Sequence, residues 1–209
     1  MSLPASVLAI IGCQSIYYKT MEAFGYHKRD LLVGRVQEAR DAQENAKEQF
    51  QSALKKFSAV VDFRGGKLEE KYEELKTELD RSESKAEAVR KRVTSVEDVA
   101  TALFDEWESE LDQYTRDDLR HSSEQKLKQT RQRYSQLIGA MKRAETKIAP
   151  VLSAFRDQVL FLKHNLNAQA IASLQDELIS VEADIASLIK EMEDSIAEAD
   201  AFIKSMGEG

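Results

Sequence analysis

Four long stretches of this chain place apolar residues at alternating spacings of four and three, and this heptad pattern constrains the fold more than any other feature. A helix with one apolar stripe can bury that stripe only against other helices. The pattern therefore predicts helices that pack side by side. In the first stretch the seam positions are Leu32, Val36, Ala39, Gln43, Ala46, Phe50, Ala53, Phe57 and Val60, of which only Gln43 is polar.

The second stretch runs from Leu68 to Tyr114, and only Ser82 and Glu110 interrupt its seam. Its unbroken register predicts one helix of about 48 residues, roughly 70 Å long at 1.5 Å per residue. Gly65 and Gly66 precede it, and glycine readily adopts the left-handed conformation that ends a helix. We therefore expect a turn at this pair.

The third seam runs from Leu127 to Leu166 and contains a four-residue stutter just after Pro150. A stutter locally unwinds a supercoil, and proline removes a backbone donor and clashes with the preceding turn. Both signals predict a kink near residues 146–150. The fourth seam runs from Ile171 to Met206 with only Ser195 polar.

The breaks between these stretches are short, so successive helices should be antiparallel neighbours. Before the third helix, Thr115 with Asp118, or Ser122 or Ser123, are competing helix caps, and Asn165–Asn167 mark the last break. The predicted fold is all-α, an elongated antiparallel bundle or coiled coil of four long helices whose third helix is kinked near Pro150. A homodimer would cover apolar surface that such a rod leaves exposed.

Composition agrees with this fold, because the chain has only 8 glycines and 2 prolines among 209 residues. The net charge of −7 argues against a nucleic-acid partner, since such proteins oppose phosphates with an excess of cations. Charge is uneven, however, with a net −8 over residues 171–209 and +5 over residues 116–147. The acidic segment could be solvated, or it could lie along the basic one. Alternatively, the basic segment could contact an anionic surface through Lys126, Lys128, Arg131 and Arg133.

No pattern of residues indicates a catalytic, cofactor or metal site. The three histidines, His27, His121 and His164, are dispersed, and no Glu-x-x-His pair could build a di-iron bundle site. The chain also lacks the glycine-rich phosphate loops and the nucleophile elbow of common enzymes. We therefore expect a protein that is not an enzyme and uses no cofactor.

The N-terminal segment is apolar and ends in Ile10-Ile11-Gly12-Cys13, which resembles a bacterial lipobox. In lipoprotein precursors the cysteine thiol receives diacylglycerol and the chain is cut before it. The resemblance implies lipidation of Cys13, and the sorting rule that retains Asp-bearing lipoproteins in the inner membrane implies that Gln14 directs the protein to the outer membrane. The segment is too short to span a bilayer.

These features divide the chain into three parts. Residues 1–18 are expected to hold the remnant of a signal peptide, the lipobox and a short tether. Residues 19–206 are expected to form a single elongated helical domain, and residues 207–209 a C-terminal tail that comes partly from expression cloning.

The sequence Ser15-Ile16-Tyr17-Tyr18-Lys19-Thr20-Met21-Glu22-Ala23-Phe24-Gly25 and the helical body that follows resemble an uncharacterised family of proteobacterial proteins of unknown function, long helical chains with lipoprotein-like starts. The resemblance implies an envelope location and no mechanism. In architecture alone the body also resembles the crescent membrane-bending domains and the phage-shock protein A family.

Three functions are consistent with these observations. The leading hypothesis is a lipid-anchored, periplasm-facing coiled-coil scaffold or adaptor for an envelope protein, attached to the outer membrane through Cys13. The alternatives are a protein that binds or shapes a membrane surface, and a cytoplasmic coiled-coil interaction protein.

Overall fold

The computed structural model describes residues 28–62, 65 and 67–207, and these form four α-helices and no strand. The helices are α1 (Lys28–Val61), α2 (Leu68–Leu111), α3 (Asp117–His164) and α4 (Ala168–Gly207). At 1.5 Å per residue they are roughly 50 to 70 Å long. The described part of the chain is therefore an all-α bundle, as the four seams predicted.

Each helix is antiparallel to the next, and α4 closes the ring against α1. Arg92 Nη1 of α2 contacts Glu38 Oε2 of α1 at 2.6 Å, and Glu74 Oε2 contacts Lys56 Nζ at 3.3 Å. The contact positions thus advance along α1 while they recede along α2. Helices α1 and α4 are antiparallel in the same way. Arg40 pairs with Asp200, and Lys47, further along α1, pairs with Glu193, which is earlier in α4.

The core consists mainly of predicted seam residues, joined by a few buried residues outside the seams: Val61, Val99, Phe104, Ala140 and Leu152. All nine seam positions of α1 are buried, and they pack against the buried seam positions of the other three helices. Phe57 of α1 reaches across the centre to Phe155 of α3, where the two rings meet edge to face with centroids 6.2 Å apart. Helices α1 and α3 are therefore diagonal partners within one core.

The predicted seams extend too far at their ends. Helix α2 has 44 residues and ends at Leu111, so Tyr114 lies in the connection and is exposed, as is Glu110 in the last turn. Leu166 follows the end of α3 and is 44% exposed. The heptad spacing continued through these positions, but at the end of a bundle no neighbouring helix covers them.

The cap expected before α3 was also wrong. The helix begins after Arg116, whose side chain makes no capping hydrogen bond, and Asp118 instead accepts hydrogen bonds from Arg116. Ser122 and Ser123 lie inside the helix. Ser123 is buried, and its Oγ accepts a hydrogen bond of 2.8 Å from Trp107 Nε1 of α2.

Helix α3 continues through Pro150 without interruption. Proline has no N–H, so the carbonyl of Thr146 four residues earlier lacks its usual helical donor. Both Thr146 and Pro150 are exposed, which leaves that carbonyl open to water. The kink itself stays a prediction.

Charge alternates in sign around the ring of helices. Helices α1 and α3 are basic: α1 has seven basic and five acidic residues, and α3 has ten basic and five acidic residues. Helices α2 and α4 are acidic: α2 has seven basic and fourteen acidic residues, and α4 has two basic and nine acidic residues. Every neighbouring pair therefore joins a basic helix to an acidic one. Most ion pairs between helices have their cation on α1 or α3, as in Lys142–Glu97 and Arg143–Glu191. Single surface pairs are weak, so this pattern selects neighbours more than it adds stability.

Candidate functional site

The two ends of the bundle differ, and the first of them is defined by the start of α1. Lys28 Nζ lies 2.6 Å from Glu106 Oε1 near the end of α2, and the Arg29 guanidinium donates to the carbonyl of Met206 near the end of α4. We call this the near end; it also contains the connection between α2 and α3. The far end contains the connections between α1 and α2 and between α3 and α4. Cys13, Gln14 and His27 lie outside the described residues, on the chain that leads to Lys28.

The far end exposes apolar side chains. Leu160 is 52% exposed, Phe161 40% and Leu166 44%, and all three lie at the end of α3 or just beyond it. On α4, Ile179 is 77% exposed. Helix α4 begins at Ala168, but its ion pairs with α1 involve only Glu193 and Asp200, well after this start. Helix α1 ends at Val61 and therefore does not reach the start of α4. The tip of the α3–α4 pair therefore extends beyond α1. At the near end, Tyr114 and Leu119 are also 42% and 46% exposed.

Residues 125–144, the central part of the basic segment, contain no carboxylate and six cations. Of the four residues predicted to contact an anionic surface, Arg131 is already engaged. Its Nη2 donates to Glu108 Oε2 of α2 at 2.9 Å, and its guanidinium lies 5.4 Å from the centroid of the Phe104 ring. The hydrogen bond from Arg131 lowers the pKa of Glu108, so this pair stays ionised at neutral pH and is lost as the carboxylate protonates in acid.

Phe104 also packs edge to face on Tyr134, with centroids 5.4 Å apart. Burial raises the pKa of Tyr134 to about 12, so its phenol is neutral at any physiological pH. Arg131 thus helps to hold α2 against α3. Its contact with an external anionic surface stays a prediction, for which the cation would have to leave Glu108.

Other cations of α3 contact the acidic helices beside them. Lys142 Nζ lies 2.6 Å from Glu97 Oε1 of α2, and Arg143 Nε lies 3.4 Å from Glu191 Oε2 of α4. Further along α3, Lys147 Nζ donates to Ser187 Oγ at 2.6 Å and also contacts Glu191. The acidic fourth helix therefore lies along the basic third helix, one of the alternatives that the sequence left open.

The side chains of Lys126, Lys128 and Arg133 remain exposed, and none of them has an ion-pair or hydrogen-bond partner among the described residues. Arg133 lies on a groove of about 280 Å³ between α3 and α4, together with Glu198 and Phe202. These three cations are the part of the predicted anionic contact that the structure leaves available.

The polar interruptions of the first and fourth seams meet inside the core. Ser195 Oγ donates a 2.8 Å hydrogen bond to Gln43 Oε1, and both residues are fully buried. The amide nitrogen Gln43 Nε2 has no partner. Sequence reasoning found both positions as seam breaks, but it had no signal that the two would face each other. A slip of α1 along α4 would leave both groups buried and unpaired, which favours the observed register.

We expect the two partners of this hydrogen bond to respond oppositely to replacement. Ser195→Ala leaves Gln43 Oε1 unpaired in the core and should reduce the free energy of unfolding by about 1–3 kcal/mol. Gln43→Leu removes the unpaired amide, and the Ser195 hydroxyl can turn to a carbonyl four residues earlier, as Ser82 does toward Glu78 in α2. Urea denaturation should show this variant unchanged or more stable; equal losses in both variants would contradict the assignment.

No arrangement within residues 28–62, 65 and 67–207 suggests catalysis or metal binding. These residues contain no cluster of three or more metal-ligating side chains. A groove between α1 and α2 is lined by acidic side chains, but Glu74 in it contacts Lys56 and Lys71, and Glu70 contacts Lys67. It is an open, salt-bridged helix surface. None of the described helices is long and apolar enough to cross a bilayer.

A family comparison extends over nearly the whole chain. The model for DUF2959, a family of proteins of unknown function, matches residues 17–206. The chain belongs to the DUF2959 family. The match includes the bundle and most of the Ser15–Gly25 sequence that carries the resemblance noted above. A search of curated proteins found no significant match to this DUF2959 chain.

Proposed function

We propose that this DUF2959 protein is a non-enzymatic coiled-coil scaffold or adaptor of the bacterial cell envelope, anchored in the outer membrane by acylation of Cys13 and facing the periplasm. Gln14 is the sorting residue in this proposal. The partner is an envelope protein, and the membrane contact is through the lipid.

The observation that carries the proposal is the position of the start of α1 at one end of a long rod. Cys13 lies fifteen residues before Lys28, so a lipid on it would be tethered at the near end. The far end would then project by up to the length of α2, roughly 65 Å at 1.5 Å per residue. That end carries the exposed side chains of Leu160, Phe161 and Leu166. A tethered rod with an apolar distal tip suits the spacing and recruitment of other proteins.

The charges at the near end support this function over direct binding to an anionic membrane. Three available cations would each contribute about 1 kcal/mol at an anionic surface. However, the same end exposes the carboxylates of Asp112, Asp117 and Asp118, which would be repelled. A single acyl chain binds membranes only marginally, but the two or three chains of a lipoprotein anchor stably without such help.

The anchor is tested by metabolic labelling of the precursor, expressed from its genomic reading frame in a Gram-negative host. Cys13 is the only cysteine among the 209 residues, so a diacylglyceryl thioether whose ester-linked fatty acids carry the label can be assigned to it, and Cys13→Ala should abolish the label completely. The labelled protein should fractionate with the outer membrane. Gln14→Asp is the matched variant, which should move the protein to the inner membrane while it keeps the label.

Two results would contradict the proposal. Label that persists in Cys13→Ala would remove the lipid anchor. Recovery of the unmutated protein only with the inner membrane would remove the role of Gln14 and the outer-membrane location.

A further inference from the structure

One row of side chains on α3 faces α4 and is positively charged at the near end. Lys126, Arg133 and Lys147 are separated by multiples of seven residues, which places them on one face of the helix, and the position between the last two is the buried Ala140. Lys147 contacts Ser187 of α4, so this face is directed toward α4. Lys126 and Arg133 have no partner among the described residues, although Arg133 lies on the same groove as Glu198. This end of the groove therefore has available cations.

The corresponding row on α4 is acidic, and its far-end members lack partners. Glu177, Asp184, Glu191 and Glu198 also follow a seven-residue repeat. Glu191 contacts Arg143, which directs this row toward α3 and fixes the relative level of the two helices.

The antiparallel pairing at Glu191 places Asp184 level with Pro150 of α3, and Glu177 level with Asp157. The nearest cations of α3, Lys147 and Arg156, contact Glu191 and Glu83 instead. Glu177 and Asp184 are exposed and have no partner in the part of the chain that the structure describes. The α3–α4 face is thus positive at one end and negative at the other.

We propose that a second copy of this chain docks on the α3–α4 face in an antiparallel orientation. Lys126 and Arg133 of each copy then meet Glu177 and Asp184 of the other. The midpoint along the rod between the positive and the negative charge set lies near the Arg143–Glu191 pair. The two-fold axis of the dimer passes through this midpoint. Each set lies about 12 residues, or roughly 18 Å, from that axis. The α3–α4 faces of the two copies therefore overlap along nearly their full length.

The face is large enough for a stable dimer. A strip roughly 60 Å long and 12 Å wide, the dimensions of these helices, gives about 700 Å² per copy, and a standard interface buries about 800 Å² per partner. Its exposed α4 side chains include the small Ser180, three residues after Glu177 and four before Asp184, which allows close approach. The charge pairs set the orientation, because electrostatic complementarity contributes more to specificity than to affinity.

The test is sedimentation of the full chain and of two charge-reversed variants, Lys126→Glu with Arg133→Glu and Glu177→Lys with Asp184→Lys. The unmutated protein should dimerise at low salt, with weaker association at high salt because the charges are screened. Each variant should raise the dimer dissociation constant at least tenfold, since like charges then face each other. The two variants mixed should form a heterodimer, in which opposite charges face again. Circular dichroism verifies that each variant is folded.

Lys55→Glu with Lys76→Glu is the matched control, because it makes the same change in net charge at exposed lysines on α1 and α2. It should leave the dimer intact. A monomer at low salt, a dimer unaffected by both reversals, or failure of the mixed variants to associate would overturn the proposal. A monomer whose binding to phosphatidylglycerol vesicles depends on Lys126 and Arg133 would also overturn it, and would assign these cations to lipid.

Discussion

Phe57→Ala is expected to reduce the free energy of unfolding by about 3–5 kcal/mol, the range for removing a buried phenylalanine. Phe57 is 1% exposed and contacts Phe155, which is 3% exposed, across the centre of the bundle. The replacement removes the ring and also leaves a cavity, because the helices on all sides are held apart by their other seam residues. It also removes the edge-to-face contact, worth about 0.5–1.5 kcal/mol of this loss.

Phe161→Ala is the matched control, because it deletes the same ring from a position that is 40% exposed. Its effect should be about 1–2 kcal/mol, since two-fifths of the residue already contacts water and its removal leaves no enclosed cavity. Urea denaturation followed by circular dichroism measures both variants. A loss below about 1 kcal/mol for Phe57→Ala, or equal losses for the two, would mean that the diagonal contact between α1 and α3 does not exist in solution.

Pro150→Ala is expected to stabilise the protein, by up to about 3 kcal/mol, the penalty of proline within a helix. Alanine supplies the N–H that the Thr146 carbonyl lacks and removes the clash of the ring with the preceding turn. The position is exposed, so no core contact is lost. For a chain of this size the melting temperature should rise by about 2–4 °C for each kcal/mol.

Pro150→Gly separates the two contributions of this residue. Glycine also restores the N–H, but it is about 1 kcal/mol less favourable than alanine inside a helix. Melting temperatures should therefore rank alanine above glycine and glycine above proline. If both variants melt at or below the temperature of the unmutated protein, α3 has adapted to its proline and the stabilisation argument fails.

The spacing of apolar residues was enough to predict four helices, their order and most of their core. All seam positions of α1 from Leu32 to Val60 are buried, and so are those of α2 from Leu75 to Leu103. A heptad seam carries this information because a one-residue error in register would turn the whole stripe toward water. The short connections then leave only antiparallel neighbours.

The same spacing could not predict where each seam stops being covered. Tyr114 and Leu166 fit the heptad and are exposed, because coverage depends on the lengths of neighbouring helices. Nor could it assign partners to charged side chains. The contact of Arg131 with Glu108 depends on how α2 and α3 are aligned along their axes, and many alignments place some acid near that cation. The pairing of Gln43 with Ser195 depends in the same way on α1 and α4.

Lipidation of Cys13 rests on the four residues that end in it and stays a prediction, as does the role of Gln14. The family match at residues 17–206 begins after both. The fold and the proposed lipid anchor therefore rest on different stretches of the chain, and the labelling experiment can fail without affecting the bundle.

The adjacency of the start of α1 and the end of α4 has a mechanical consequence. Tension that separates these two points would peel α1 from α4, so that Arg40–Asp200, Gln43–Ser195 and Lys47–Glu193 would break one after another. Tension between the start of α1 and the α3–α4 connection instead pulls along the rod. It would shear α1 against both neighbours and strain all their contacts together. A rod tethered before Lys28 and pulled at its far tip is loaded in this second, stronger direction.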